Sequence, residues 1–293
     1  MGNNIIQKEN IKRILKRVEE NTKTELIRIK TKISSRRLGI TESKFGGIPY
    51  WPDIRTYPVS DKGISLTMLA QINLSDLPQN KVFPDKGLLQ FFIPNSKDPN
   101  NYRVVLHETL DTSMTPLYKR WIFPTSLMPK QITIGKDVRK TIPNLWWGNA
   151  GFPVTGELAL EFSKEYEYAN LTEDCFTEEF IRAAAQLNIS VPEEIDSVYY
   201  LLEEEDRYVL DKYFSGSGHK LLGRPYCIQG DYRDKEEVLL FQMDSVGDMA
   251  LVGETDRYNY IALGDAGNMG FFIEKDKLKK LDFSEIYYTW ACC

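Results

Sequence analysis

The feature that most constrains this chain is an ordered recurrence: three short segments in its first third reappear, in the same order, near its end. Lys44-Phe45-Gly46-Gly47-Ile48-Pro49 is echoed by Lys220-Leu221-Leu222-Gly223-Arg224-Pro225. Leu69-Ala70-Gln71-Ile72-Asn73 is echoed by Leu240-Phe241-Gln242-Met243-Asp244. Gly87-Leu88-Leu89-Gln90-Phe91-Phe92-Ile93 is echoed by Gly267-Asn268-Met269-Gly270-Phe271-Phe272-Ile273. Self-similarity in fixed order is the signature of a repeated structural unit. The apolar runs Leu88 to Ile93 and Phe271 to Ile273 are short and bounded by glycine or proline, so they read as buried strands. One such small sheet is marginal alone, and two copies are expected to bury their apolar faces against one another about a pseudo-twofold. The fold expected is therefore α+β and internally duplicated, with two similar β-rich halves packed together. An N-terminal basic amphipathic helix and strand fill residues 1–40, the first half 41–172, and a helical segment plus the second half 173–293, all in one compact body.

Between the echoes the periodicities are local. Ile11, Ile14, Leu15 and Val18 have helical spacing, and Ile27, Ile29, Thr31 and Ile33 alternate as a half-buried strand does. Arg103 to Leu106, Gln131 to Ile134 and Glu157 to Phe162 read as further strands. Thr177 is placed to cap a helix through Phe180, Ile181, Ala184 and Leu187. Ser190 with Glu193 forms a capping box ahead of a second helix that runs to Tyr213 and stops at Ser215-Gly216-Ser217-Gly218.

Charge is unevenly spread. Residues 1–40 hold eleven Lys/Arg against four Asp/Glu, a surplus of seven, which leaves −12 for the remainder of a chain whose net charge is −5. Because the basic residues alternate with the helical apolar stripe, they read as a solvated outer face drawn to an acidic body, and nucleic-acid binding through this arm ranks last. Four scattered cysteines without CxxC spacing read as reduced thiols. No stretch reaches the roughly 20 apolar residues of a bilayer span and the start lacks a signal peptide, so a cytoplasmic protein without membrane contact is expected.

Conventional catalytic patterns are scarce. The only two histidines, His107 and His219, lack the partners of a zinc-protease helix or a phosphate loop, and no nucleophile elbow or dinucleotide fingerprint is present. No catalytic residue, metal or cofactor is assigned. Tyr50, Trp51, Trp146 and Trp147 are the aromatic candidates for a recognition surface, with core packing ranked above that role. Gln71, Gln90, Gln242, Asp244 and Asp265 are the polar candidates, converging on a cleft between the halves if their strands adjoin. Asn73 stands where the second copy has Asp244, which favours a structural hydrogen bond over acid–base work there.

Six of these segments together resemble the bacterial YwqG family, whose biochemical function is not established. They are Ser43-Lys44-Phe45-Gly46-Gly47-x-Pro49, Leu69 to Leu74, Gly87 to Phe92, His219 to Pro225, Gln242-x-Asp244-Ser245 and Gly264-Asp265-Ala266-Gly267, with Leu263 where that family usually has Trp. The resemblance implies an α+β fold with duplicated halves, and a role for some relatives as immunity proteins beside secreted toxins. It brings no catalytic residues. Together these readings lead to a non-enzymatic cytoplasmic binding protein whose partner is a protein such as a toxin. The alternative is a small-ligand binder or enzyme using the inter-repeat cleft. An acidic body suits a basic partner, since complementary charge speeds association.

Overall fold

The computed structural model describes residues 6–34, 36–52, 57–94, 101–111, 152–154, 157–192, 195, 197–204, 207, 210, 214–231, 233–234, 236–245, 249–251, 257–259, 261, 263–264 and 267–292. Helix α1 (Lys8–Thr22) turns Ile11, Ile14 and Val18 inward and leaves Lys12, Arg13 and Lys16 exposed. It packs on α2 (Cys175–Gln186) through Phe176, Phe180, Ala183 and Ala184, forming a small helical core. Strand β1 (Thr24–Ile33) follows at once and becomes the spine of the molecule. It pairs along all ten residues with β6 (Glu157–Glu167) on one side and with β7 (Lys220–Leu222) on the other.

From that spine the sheet grows in both directions. Beyond β6 lie β2 (Lys44–Gly46), β3 (Thr67–Asn73), β4 (Leu88–Ile93) and β5 (Arg103–His107). Beyond β7 lie β8 (Glu237–Asp244), β11 (Asn268–Glu274) and β12 (Tyr287–Ala291), with the short helix α3 (Lys275–Lys279) joining the last two. β9 (Met249–Leu251) and β10 (Arg257–Asn259) pair separately. Every neighbouring pair in the ten-stranded sheet is antiparallel.

The expectation of an α+β protein made of two halves is overturned by this topology. Among the described residues the chain is mostly β, and ten of its strands form one curled antiparallel sheet with three helices beside it. The physical reason lies in β1 and β6, whose ten-rung ladder stitches both sets of recurring segments into a single sheet. Two register shifts help it curl, one between Met68 and Ala70 opposite β4, the other between Phe271 and Phe272 opposite β8. Bulges bend a strand and increase its twist. The apolar face thereby wraps on itself: the Phe91 ring lies 4.6 Å from Phe241 and 5.1 Å from Phe271, and Tyr102 beside β5 lies 5.3 Å from Tyr288 of β12. Local expectations also need adjustment. α2 begins two residues before Thr177, and the second predicted helix holds a 3-10 turn at Val198–Leu201, with several of its residues outside those described. The strand expected at Gln131–Ile134 lies outside them as well.

Candidate functional site

Two regions of the sheet are built alike, one on each side of the spine. In the first, the chain leaves β2 through two left-handed glycines, Gly46 (φ 63°) and Gly47 (φ 75°). A side chain at Gly47 would also meet the Glu157 carboxylate, a Cβ there lying 2.8 Å from Oε2. Residues of L configuration avoid this backbone region, which is why Gly-Gly sits here. The loop then crosses β3 and β4. The Tyr50 backbone N–H donates to Gln71 Oε1 at 2.8 Å, and Gln71 Nε2 donates to the carbonyls of Ile40 and Glu42, each at 2.9 Å. Gln71 thus clamps two loops to the sheet. Its neighbour in register, Gln90, donates through Nε2 to Gln71 Oε1 at 2.8 Å and to the Tyr50 carbonyl at 2.9 Å. Gln90 Oε1 in turn accepts from His107 Nε2 at 2.8 Å, and the rings of Tyr50 and Trp51 stand edge-on to His107. All five side chains are buried.

The second region repeats the clamp. The chain leaves β7 through Leu222 (φ 61°) and Gly223 (φ 78°); the Tyr226 N–H donates to Gln242 Oε1 at 2.8 Å, and Gln242 Nε2 donates to the carbonyls of Gly216 and Gly218 at 3.1 and 3.0 Å. Lys44 and Lys220, aligned in sequence, are both buried and both tie down a loop carbonyl, at Gly39 (2.9 Å) and Gly216 (2.7 Å). Lys220 adds an ion pair with Glu167 at 2.7 Å. Burial pushes both ammonium groups down, Lys44 to about 8. Asp244 is buried and accepts from the Gly218 N–H at 2.8 Å, while its own N–H donates to His219 Nδ1 at 3.0 Å.

The two regions part company above the clamp. Gln242 faces Gly270 in register, where Gln71 faces Gln90. Asn268 pairs with Ala291, where Leu88 pairs with His107. With glycine and alanine in place of glutamine and histidine, a cleft of about 440 Å³ opens beside Gln242, lined among others by Asn268, Gly270, Thr289, Tyr226, Phe272 and Tyr287. This lies in the range of small-molecule sites, which join apolar walls to a few polar groups.

The rim carries charges that are already matched. Arg233 binds both oxygens of Asp231, at 2.7 and 2.5 Å, and reaches Glu173 at 3.0 Å; Glu173 also receives Arg224 at 2.7 Å. Burial raises the Asp231 carboxyl, but the Arg233 hydrogen bond and charge outweigh it and hold it below the usual carboxylate range. Cys227, which lines the cleft, is pushed up to about 12 by burial and then by the Asp231 charge, so it stays a thiol near neutrality. Among the described residues no three His, Cys, Asp or Glu side chains gather to hold a metal ion, and no helix is long and apolar enough to cross a membrane.

The structure thus places the sequence candidates unevenly. Gln71 and Gln90 touch, and Tyr50 joins them through its backbone; Gln242 and Asp244 lie in the other region. Tyr50 and Trp51 are core residues, 1% and 4% exposed. Trp146, Trp147 and Asp265 lie outside the described residues. Missed by sequence reasoning were Tyr226, Asn268, Gly270, Tyr287 and Thr289. One signal for them was in hand: the aligned third segment carries Gln90 in one copy and Gly270 in the other.

No curated protein shows significant similarity to the chain. Residues 43–292 match the model of a family described as a domain of unknown function, DUF1963, and the chain belongs to that family.

Proposed function

We propose that this chain is a non-enzymatic binding protein whose ligand sits in the cleft over Gln242 and Gly270. One observation carries this reading: the same clamp is filled by the protein's own side chains on one side of the sheet and left hollow on the other. The chemistry of the walls favours binding over catalysis. Both histidines are buried away from the cleft lining, the Cys227 thiol is held protonated, and Asp231 and Arg233 occupy each other. The free thiols of Cys175, Cys227 and Cys292 suit a reducing cytoplasm. The test is a fragment screen by amide-resolved NMR on the full chain and on Thr289→Trp, whose indole fills the cleft. Shifts clustered on Tyr226, Gly230, Gly270 and Thr289, and lost in the variant, support the reading. Shifts confined to other surfaces overturn it.

A second reading is favoured by the rim aromatics Trp290 and Tyr287, which are 48% and 37% exposed at the sheet edge. Exposed aromatics beside a cleft are typical anchors for a protein partner. The resemblance to the YwqG family, with its immunity role for some relatives, supports a toxin as that partner. Purification from the native host tests it. A partner recovered with the wild-type chain and lost with Trp290→Ala supports it; a small metabolite carried in the cleft without any protein counts against it.

A further inference from the structure

The hollow region differs from the filled one in how the hydrogen bonds of the clamp are completed. In the filled region the Gln90 carboxamide serves two acceptors at once, the Tyr50 carbonyl and Gln71 Oε1, so Gln71 Oε1 receives two hydrogen bonds. In the hollow region Asn268 Nδ2 donates to the Tyr226 carbonyl and takes over the first of those tasks. The second is left undone. Gln242 Oε1 accepts from the Tyr226 N–H and, among the described residues, from nothing else, although a carboxamide oxygen offers two lone pairs. Asn268 Oδ1 likewise receives no hydrogen bond among the described residues. Two amide oxygens in the cleft wall thus await donors. Because Asp231 is bound by Arg233, and Glu173 by Arg224 and Arg233, the rim offers, among the described residues, no unmatched charge to an ionised ligand.

We infer that the cleft takes a neutral carboxamide, its NH₂ donating to Gln242 Oε1 and Asn268 Oδ1, in the role the chain's own Gln90 plays across the sheet. This rests on the cleft being the binding site, and it names the chemistry bound there. Phe272 supplies an aromatic surface to the cleft. The far end of its ring lies 2.6 Å from where a Cβ on Gly270 would stand, so it covers the glycine and closes the base of the cleft with an aromatic wall. A site built to hydrogen-bond an NH₂ discriminates sharply against an analogue lacking it, because the acceptors would otherwise be buried unpaired. The carboxamide has two sources, a free amide such as glutamine or the side chain of a protein partner.

The test titrates the full chain with L-glutamine, L-glutamate, and capped pentapeptides with Gln or Glu at the centre, following the Gly270 and Thr289 amides by NMR. The expected result is binding of the carboxamide of each pair at least about tenfold tighter than the carboxylate. Tighter binding of the pentapeptide assigns the source to a protein, and tighter binding of glutamine to a metabolite. Gly270→Gln places a carboxamide in the cleft from the chain itself and should abolish glutamine binding. Should that variant not fold, Thr289→Trp blocks the cleft from the opposite strand and must do the same. Equal binding of glutamate and glutamine, or glutamine binding that survives Thr289→Trp, overturns the inference. If neither amide binds while unrelated fragments still occupy the cleft, the carboxamide assignment falls and the cleft reading stands. If nothing occupies it, both fall.

Discussion

The regions around Gln71 and Gln242 teach by their difference. Each holds a loop to the sheet with the same three hydrogen bonds, and each buries a lysine beneath that loop. Above the clamp, Gln90, His107, Tyr50 and Trp51 complete one region into core, whereas Gly270, Ala291 and Thr289 line a cleft in the other. A shared backbone device is therefore compatible with opposite fates, and the side chains at two strand positions decide between them. Below the clamp the contrast reverses: Lys220 is paired directly with Glu167, while Lys44 feels Glu157 and Glu42 only at longer range.

The largest expected effect breaks the comparison at the lysines. Lys220→Met strips Glu167 of its cationic partner and leaves it, of its Lys220 and Arg224 donors, the Arg224 backbone N–H alone; breaking a buried pair from one side costs about 3–5 kcal/mol. Urea denaturation of wild type and variant measures it. Lys44→Met removes one hydrogen bond without stranding a directly bonded charge and should cost about 0.5–1.5 kcal/mol. Equal losses would show that the two lysines are held in the same way after all.

Next in size is the filled region itself. Gln90→Ala leaves the His107 N–H, the Tyr50 carbonyl and one lone pair of Gln71 without their partner and opens a void among them, at a cost of about 2–4 kcal/mol. The same denaturation series reads it. A loss below about 1 kcal/mol would mean that the network tolerates a hole, and the contrast with the hollow region would lose its energetic meaning.

Lys44 also sharpens the comparison through pH. Burial holds its folded-state pKa at about 8, below the ordinary 10.5 of the unfolded chain. Between those values the unfolded chain binds a proton that the folded one does not, so this group makes stability rise as pH increases across the window. Lys44→Met lacks the contribution. The stability gap between wild type and Lys44→Met should therefore widen from pH 8 upward, and a gap independent of pH would refute the assignment.

How much of this was legible in the sequence depends on range. Leu88–Ile93 was readable as a buried strand because every residue in it is apolar or amide, and α1 because its stripe has helical spacing. The role of Gln71 and Gln242 was visible only as a recurrence. Invisible was the pairing of β1 with β6, separated by more than a hundred residues. The alternation of Ile27, Ile29 and Thr31 fixes which face is buried, and nothing in it names the partner strand. That one unread ladder turned two expected halves into a single sheet. The cleft was hidden for another reason: it is made by side chains that are missing, and a glycine in an apolar strand reads first as a flaw in the strand.

The smallest expected effect on stability carries the most information about function. Thr289 stands opposite Gly270, its Oγ1 3.4 Å from where a Cβ on that glycine would lie, and it lines the cleft. An indole placed there can extend into the cleft, so Thr289→Trp should change stability by no more than about 0.5 kcal/mol. The equivalent enlargement in the filled region, Val105→Trp opposite Gln90, meets Trp51 and Phe92 in a packed core and should cost about 1–3 kcal/mol. Thermal denaturation of the two variants side by side measures the difference directly. Equal penalties would mean that the second region is as full as the first, and the cleft would have no claim to a ligand.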